Sequence, residues 1–582
     1  MAADTGINFP GEKPDSPPTD ESPDPRRWLA LIVLLVALFM DLLDVTIVNV
    51  ALPSIQSDLG GGYSAIQWVT AGYALAFALL LITGGRLGDI FGRKRVFMLG
   101  VAGFTLASLF CGIAQEPWQL SVARVLQGAF AAIMVPQVLA IIHVVFPAEE
   151  RGKAFGLAGA IGGLAAIMGM VLGGVLTSWD LFGLGWRTIF LINIPVGIGA
   201  LLVGAQALRE SKDSRGLRLD LTGVALASVA LLLLFFPLLQ GREHGWPAWG
   251  FVSMILAVPV FALFIVHQRR MTRTGGFPLV PMTLFGQRGF SSGVSVHLLF
   301  NIGMGIFFLS WTLYMQIGLG WSPLRAGLSA APFCIGAAPG AAVSVAVLMP
   351  KFGRKVIQIG VLLMVLGLGS YAWSVVHLGS DMGFVHQLLP LLVFGVGFGF
   401  VAAPLPEIAL SEVPRQDAGS ASGVFNANQQ LGAALGVALT SIVFFGLLGG
   451  HASDSARDAT PELKRDLVAT GMSTERADAA VASFAACAKQ SAESSGEGQG
   501  PAACGLDPAL QSQPAVAEAL ADAGKETTAN TFADTFRVAL LSIIGILVLA
   551  FAVIPLLPQR RVAAPEQGDD TPDTVDEAAM EH

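Results

Sequence analysis

Apolar runs close to twenty residues long recur fourteen times along this chain. They fall near 28–50, 65–84, 96–114, 118–142, 153–177, 187–208, 220–240, 249–267, 290–314, 326–349, 355–377, 388–409, 420–448 and 536–557. A run of about that length is what a helix needs to cross the roughly 30 Å hydrocarbon core of a bilayer. Inside lipid every backbone N–H and C=O must be satisfied within the structure, so such runs fold as helices. The residue balance agrees, with 53% of the 582 residues hydrophobic and 13% charged, against about 25% charged in soluble domains. The expectation is an all-α polytopic membrane protein with about fourteen spanning helices.

Fourteen spans put both termini on one side. That side collects Arg26-Arg27, Arg93-Lys94-Arg95, Arg151 and Lys153, Arg209 to Arg218, Arg269-Arg270, Lys351 to Lys355, Arg415 and Arg560-Arg561. The short connections opposite hold mainly Arg242 and Arg325. Lys and Arg accumulate on cytoplasmic loops, so both termini are expected in the cytoplasm.

The net charge of −8 does not describe one surface, because residues 451–534 set six Lys/Arg against thirteen Asp/Glu and both tails are also acidic. This gives no basic face for nucleic acid. The first 25 residues lack the basic-then-apolar order of a cleaved signal and read as a disordered tail. Residues 449–535 read as a solvated outer excursion, long enough to cross whatever its charge. Ser473-Thr474-Glu475 before an Ala-rich run starts a capped helix there. Cys111 and Cys334 fall in spans as packing residues, whereas Cys487 and Cys504 share the outer loop, where a disulfide can form.

Between the second and third spans lies a glycine-punctuated basic turn, Gly85-Arg-Leu-Gly-Asp89-Ile-Phe-Gly92-Arg93-Lys94-Arg95. Its Phe91-Gly92-Arg93-Lys94 recurs as Phe352-Gly353-Arg354-Lys355, with Pro350 standing where Asp89 would be. Such an echo points to two membrane halves related by a parallel repeat. Asp89 can accept backbone N–H groups at a helix start or pair with Arg93, and Gly85 and Gly92 permit close approach and unusual backbone angles.

The first span carries Asp41 and Asp44, three residues apart and therefore on one helical face. Ionisable residues at membrane depth are functional candidates. Arg124, in Arg124-Val-Leu-Gln127-Gly128 of the fourth span, sits at matching depth, about 9 Å from the outer end of its span, as does Asp44. A guanidinium favours the charged form of a carboxylate and burial disfavours it, so a mobile Arg–Asp pair suits proton coupling. A static pair orienting two helices is the alternative. The fifth span holds Gly169, Met170, Gly173 and Gly174, which serve close packing or a hinge. His297 and Asn301 share a face of the ninth span, either contacting substrate or proton or bonding structurally. Glu407 is a cavity carboxylate or an interfacial residue. The chain has no phosphate-binding Gly-x-x-x-x-Gly-Lys-Ser/Thr loop, no metal-ligand cluster and no nucleophile–base motif. It therefore reads as neither an enzyme nor a cofactor protein, and its energy source is an ion gradient.

These motifs together resemble the major facilitator superfamily, specifically its fourteen-span drug:proton antiporter family. Gly85 to Phe97 is similar to the superfamily's loop signature, and Arg124-x-x-Gln127-Gly128 to the motif tied to proton transfer. Leu43 to Pro53 and Trp186 to Gly197 resemble signatures of the fourteen-span branch. Gly169-Met170-Val-Leu-Gly173-Gly174 departs from the branch's Gly-Pro-x-x-Gly-Gly, because Met170 stands in place of proline.

The resemblance implies an N-terminal six-helix bundle over 28–208, two inserted helices within 209–289, and a C-terminal bundle over 290–448 plus 536–557. The tails 1–27 and 558–582 and the loop 449–535 lie outside these bundles. It further implies proton-driven export of hydrophobic drugs across the bacterial plasma membrane by a monomer. Asp41, Asp44 and Arg124 would couple the proton, and Gly85, Asp89, Gly92 and Arg93 would latch one conformation. Export of a lipid, siderophore or metabolite on the same fold, or a sensor acting through the outer loop, are the alternatives.

Overall fold

The computed structural model describes residues 25–60, 63–179, 183–211, 218–240, 247–414, 417–493 and 513–558. Among them every regular element is helical. The first half comprises α1 (Arg27–Leu59), α2 (Tyr63–Phe91), α3 (Arg93–Gly112), α4 (Pro117–Val145) and α5 (Ala148–Trp179), followed by a stretch split into α6 (Thr188–Leu191) and α7 (Asn193–Ala207). Two helices, α8 (Leu221–Gln240) and α9 (Ala248–Arg273), separate it from the second half. There the order is α10 (Arg288–Leu313), α11 (Pro323–Ser329), α12 (Ala331–Val343), α13 (Met349–Phe352), α14 (Lys355–Leu378), α15 (Phe384–Ala402) and α16 (Pro404–Leu410). The last three are α17 (Ala418–Ala469), α18 (Thr474–Glu493) and α19 (Pro514–Val553). Several breaks coincide with proline, which lacks the N–H that would continue the ladder. Pro323 and Pro404 open α11 and α16, and the Ser322 hydroxyl caps α11 by accepting from the Arg325 N–H at 3.3 Å.

The two halves use one pairing scheme. In the first, α1 packs on α5, α2 and α3 on α4, and α3 on α7. In the second, α10 packs on α17, α12 and α14 on α15, and α14 on α19. This is the parallel repeat that the echoed turn announced. Gly92 and Gly353 both adopt left-handed backbone, with φ of 105° and 53°, which turns one helix into the next without a Cβ clash.

Twelve helical stretches among the described residues are long and apolar enough to cross a membrane. The other two expected spans, 153–177 and 420–448, fall in α5 and α17, which include positions outside the described side chains. Length and composition thus give twelve candidate crossings among the described residues, and the count of fourteen is not confirmed.

The halves share apolar core chiefly at one end. A cluster around Ile47, Ile189 and Phe190 belongs to the first half, and one around Phe307, Phe394 and Phe536 to the second. At the end carrying the basic turns, a single cluster joins Phe97, Phe146 and Phe155 to Leu284, Phe290, Leu410, Val413 and Ala421. The molecule is closed at this basic end.

Residues 449–535 depart from the expected solvated excursion. α17 runs on to Ala469 and α19 begins at Pro514, and with α18 they enclose Leu463, Leu467, Ala477, Ala480, Phe484, Val516 and Leu520. The reason lies in α18, where Ala477, Ala480, Val481, Phe484 and Ala488 recur at helical spacing as one apolar stripe and are buried. Lys464 and Asp478 join α17 to α18 at 2.5 Å. Cys487 is disulfide-bonded, and Cys504 lies outside the described residues. Replacing the buried Leu467 in Leu467→Ala should weaken this cap by about 2–5 kcal/mol. Hydrogen exchange should then accelerate across α18 and the start of α19 while α14 and α15 stay protected; unchanged exchange would refute the cap core.

Candidate functional site

Five elements deliver polar side chains to one buried point in the first half. Asp41 and Asp44 come from one face of α1, Tyr73 from α2, Ser108 from α3, Arg124 and Gln127 from α4, and Asn193 from the start of α7. Arg124 Nη1 donates to Asp44 Oδ2 and to Gln127 Oε1 at 2.6 Å, and its Nε donates to the Val69 carbonyl at 3.0 Å. Gln127 Nε2 donates to Asp44 Oδ1 at 2.9 Å and to Ser108 Oγ at 2.8 Å. Asn193 Nδ2 donates to Asp44 Oδ1 at 3.0 Å. The guanidinium carbon lies 4.3 Å from the Tyr73 ring centroid, a cation–π distance, and the Tyr73 hydroxyl donates to Asp41 Oδ1. Asp44 is fully buried, and Asp41 and Arg124 are 3% and 1% exposed.

Asp44 therefore receives three donors, while Asp41 has the Tyr73 hydroxyl. The cluster holds two carboxylates and one guanidinium, so its charges balance when one carboxyl carries a proton. Leaving an uncompensated charge at this depth is costly. Tyr73 and Ser108 are the members that pattern reading passed over. Each is an isolated polar group in an apolar run, and that isolation was the available signal.

A second cluster ties the halves together at the basic end. Asp89 accepts from Arg93 Nη2 at 2.7 Å and lies 4.0 Å from Arg86 Nη1. It also accepts the backbone N–H groups of Gly419 and Ser420 at 3.1 and 2.9 Å. Both alternatives read from the sequence thus hold, but the N–H groups belong to α17 rather than to the adjacent α3. The first N–H groups of a helix lack intrahelical acceptors and carry its positive end, so a carboxylate fits there. A Cβ at Gly85 would collide with the Gly419 carbonyl, which explains glycine at that crossing.

The free donors of α3 go elsewhere in its own half, Arg93 N to the Ser211 carbonyl and Lys94 N and Arg95 N to the Glu210 carboxylate. In the echo, Arg354 Nη1 donates to the carbonyls of Pro555 and Leu557, both at 2.6 Å. With Pro350 in place of Asp89, the repeat keeps its local pin and loses the carboxylate that reaches across. His143 Nε2, 3.2 Å from the Val413 carbonyl, adds another tie between the halves.

The remaining candidates sit apart from these clusters. His297 stacks on Phe425 of α17 with centroids 3.8 Å apart and meets Asn428 Nδ2 at 3.3 Å. Asn301 donates to the His297 carbonyl at 2.7 Å. Both are mostly buried between α10 and α17. Glu407 is buried against α5, where a Cβ on Gly152 would meet its Oε2 at 2.8 Å. A Cβ at Gly169 would press on the Thr46 hydroxyl of α1, so that glycine serves close packing. Gly173 is buried, and the Met170 side chain and Gly174 lie outside the described residues.

Two repeated helical halves, a buried acid–guanidinium cluster in one of them and a carboxylate reaching across to the other define a membrane transporter. The chain belongs to the Major Facilitator Superfamily, whose pattern it matches over residues 34–437; it is a transporter and not an enzyme. It is 42% identical to the "Probable actinorhodin transporter" of Streptomyces coelicolor, over 94% of this chain and 95% of that protein. It is 37% identical to a puromycin resistance protein of Streptomyces alboniger, over 75% of this chain and 85% of that one. The tetracenomycin C resistance and export protein of Streptomyces glaucescens is 33% identical over 75% and 79% of the two chains. Among solved structures, the human organic anion transporter MFSD10 matches with a TM-score of 0.51 at 15% identity, covering 72% of this chain and 94% of that one. This last likeness concerns the fold alone.

Arg124→Met would leave Asp44 buried without its counter-charge, at a cost of about 3–5 kcal/mol. Its unfolding temperature in detergent should fall clearly, and the double change with Asp44→Asn should recover most of the loss. Equal stability of the single variant and the wild type would show the pair to be energetically idle.

Proposed function

We propose that this transporter exports hydrophobic, antibiotic-like compounds in exchange for protons, by alternating access through a single chain. The observation that carries the reading is the first-half cluster, which buries two carboxylates with one guanidinium. One of its acids gains or loses a proton as the cluster meets one side of the membrane or the other. The bonding pattern divides the labour. Asp44, held by Arg124, Gln127 and Asn193, anchors the guanidinium, and Asp41, held by Tyr73, carries the exchangeable proton. The cargo class rests on relatives named for resistance to or export of puromycin and tetracenomycin C.

With the basic turns taken as cytoplasmic, both termini lie inside and the α17–α19 cap lies outside. In this reading α5 and α17 complete fourteen spans, arranged as two six-helix bundles with α8 and α9 between them. The closed basic end is then the cytoplasmic gate, and Asp89 on α17 is its latch. Gly85 allows the close crossing, Gly92 makes the left-handed turn beside it, and Arg93 orients the carboxylate.

Purified protein in liposomes under an imposed pH gradient tests the coupling with a lipophilic cationic dye. Gradient-driven dye movement is expected in wild type and should be lost in both Asp41→Asn and Asp44→Asn. Asp44→Asn should also lower thermal stability, whereas Asp41→Asn should leave it near wild type. Gradient-driven export persisting in both variants would overturn the assignment.

Hydrogen bonds to a charged group are worth about 1.5–3 kcal/mol. Asp89→Ala should therefore shift the gate equilibrium roughly tenfold or more toward opening, read as faster maleimide labelling of a cysteine placed at Ala421. An unchanged labelling rate would remove Asp89 from the latch.

A further inference from the structure

The two inserted helices do not hang at the periphery. Leu231 and Phe235 of α8 are buried in a cluster with Ala78, packed against Leu75, Leu79 and Ile82 of α2 and also against Leu431 and Ala434 of α17. Nearer the basic end, Ala227 and Phe264 with Leu279 and Val280 pack against Ile82 of α2 and Val424 of α17. α8 therefore lies along the seam between the halves, on the same two helices that Asp89 joins.

A buried polar knot holds the pair together at the basic end. Asp220, just before α8, accepts the Gly223 N–H at 2.8 Å, which caps that helix. The same carboxylate accepts from Gln268 Nε2 of α9 at 2.8 Å and meets His267 Nε2 at 3.0 Å. Gln268 Oε1 then accepts the Val280 N–H at 3.2 Å, fixing the connection that leads to Leu284. Leu284 is itself a fully buried member of the core that closes the basic end. A continuous chain of contacts thus runs from the knot into the gate.

We propose that α8 and α9 form a clasp across the α2–α17 seam that stabilises the gate-closed state and walls that seam off from lipid. Apolar contacts made to both halves at once exist only while the halves are together, so opening the basic end must separate α8 from one of them. More of the α8 partners lie on α2 than on α17, so α8 stays with α2 and parts from α17. The inference rests on the alternating-access reading, yet the position of the gate can be read without cargo or gradient.

The test uses the full chain with Cys111→Ala and Cys334→Ala, leaving the Cys487 disulfide in place, and Val413→Cys as the gate reporter. Leu231→Cys is paired either with Leu431→Cys, linking α8 to α17, or with Ala78→Cys, linking α8 to α2. Val413→Cys carries a photocleavable cage while a bis-maleimide closes each pair, and light then frees the reporter thiol. The link to α17 should slow maleimide labelling at Val413→Cys at least tenfold and stop dye export, and the link to α2 should leave both within about twofold. Labelling and export unaffected by the α17 link would overturn the clasp. Gln268→Ala, which cuts the knot without touching the seam, provides a variant free of cross-linker. It should raise the labelling rate of Val413→Cys several-fold, and an unchanged rate would likewise count against the clasp. An unlinked Val413→Cys protein that labels as expected, with linked forms that follow the pattern above, but that moves no dye would defeat the export reading and leave the clasp standing.

Discussion

A charge buried at membrane depth has to be matched by another charge or by aimed donors, and this structure is arranged around meeting that requirement twice. Asp44 is met by Arg124, Gln127 and Asn193, which draws α1, α4 and α7 to one point. Asp89 is met by Arg93 and by the first N–H groups of α17. The first solution lies wholly within one half and the second joins the halves. The helix packing around each follows from bringing those donors into reach, since a carboxylate left unmatched at this depth would be strongly destabilising.

The repeat shows how one fold accommodates a contact made by one half only. Both halves share one scheme of helix pairing, and both turn sharply at a left-handed glycine. Each basic turn is pinned to its own half, by Glu210 in one case and by the carbonyls of Pro555 and Leu557 in the other. Only the first carries an acid that reaches the opposite half. The acid–guanidinium cluster also lies in that half, so both groups of buried charged residues share α1 to α7. The other half contributes the helix whose first N–H groups Asp89 accepts.

Much of the site was visible as isolated polar residues in apolar runs. Asp41, Asp44 and Arg124 stood out for that reason and Asp89 through its glycine-punctuated basic turn, and depth matching alone paired Asp44 with Arg124. Tyr73 and Ser108 were passed over because a phenol or hydroxyl in a span is cheap enough to be ordinary, and only geometry shows what it bonds. The Asp89–α17 contact joins positions more than 300 residues apart, beyond the reach of any local pattern. The segment 449–535 reads as solvated because its high charge masks the apolar stripe of α18; the capped helix is legible at Ser473-Thr474-Glu475, but the partners that bury its stripe are not.

By itself the sequence determined the solvent of this protein, its helical class and its repeat. Those follow from run length, backbone hydrogen bonding in lipid and a recurring turn, all of them local properties. It also determined which carboxylates and which arginine had to be explained. The tertiary structure alone decided which end is closed, which helix Asp89 grips, and that α8 lies across the seam between halves. These are choices among packings of the same helices. Their energies come from contacts between distant segments, which no single stretch of sequence contains.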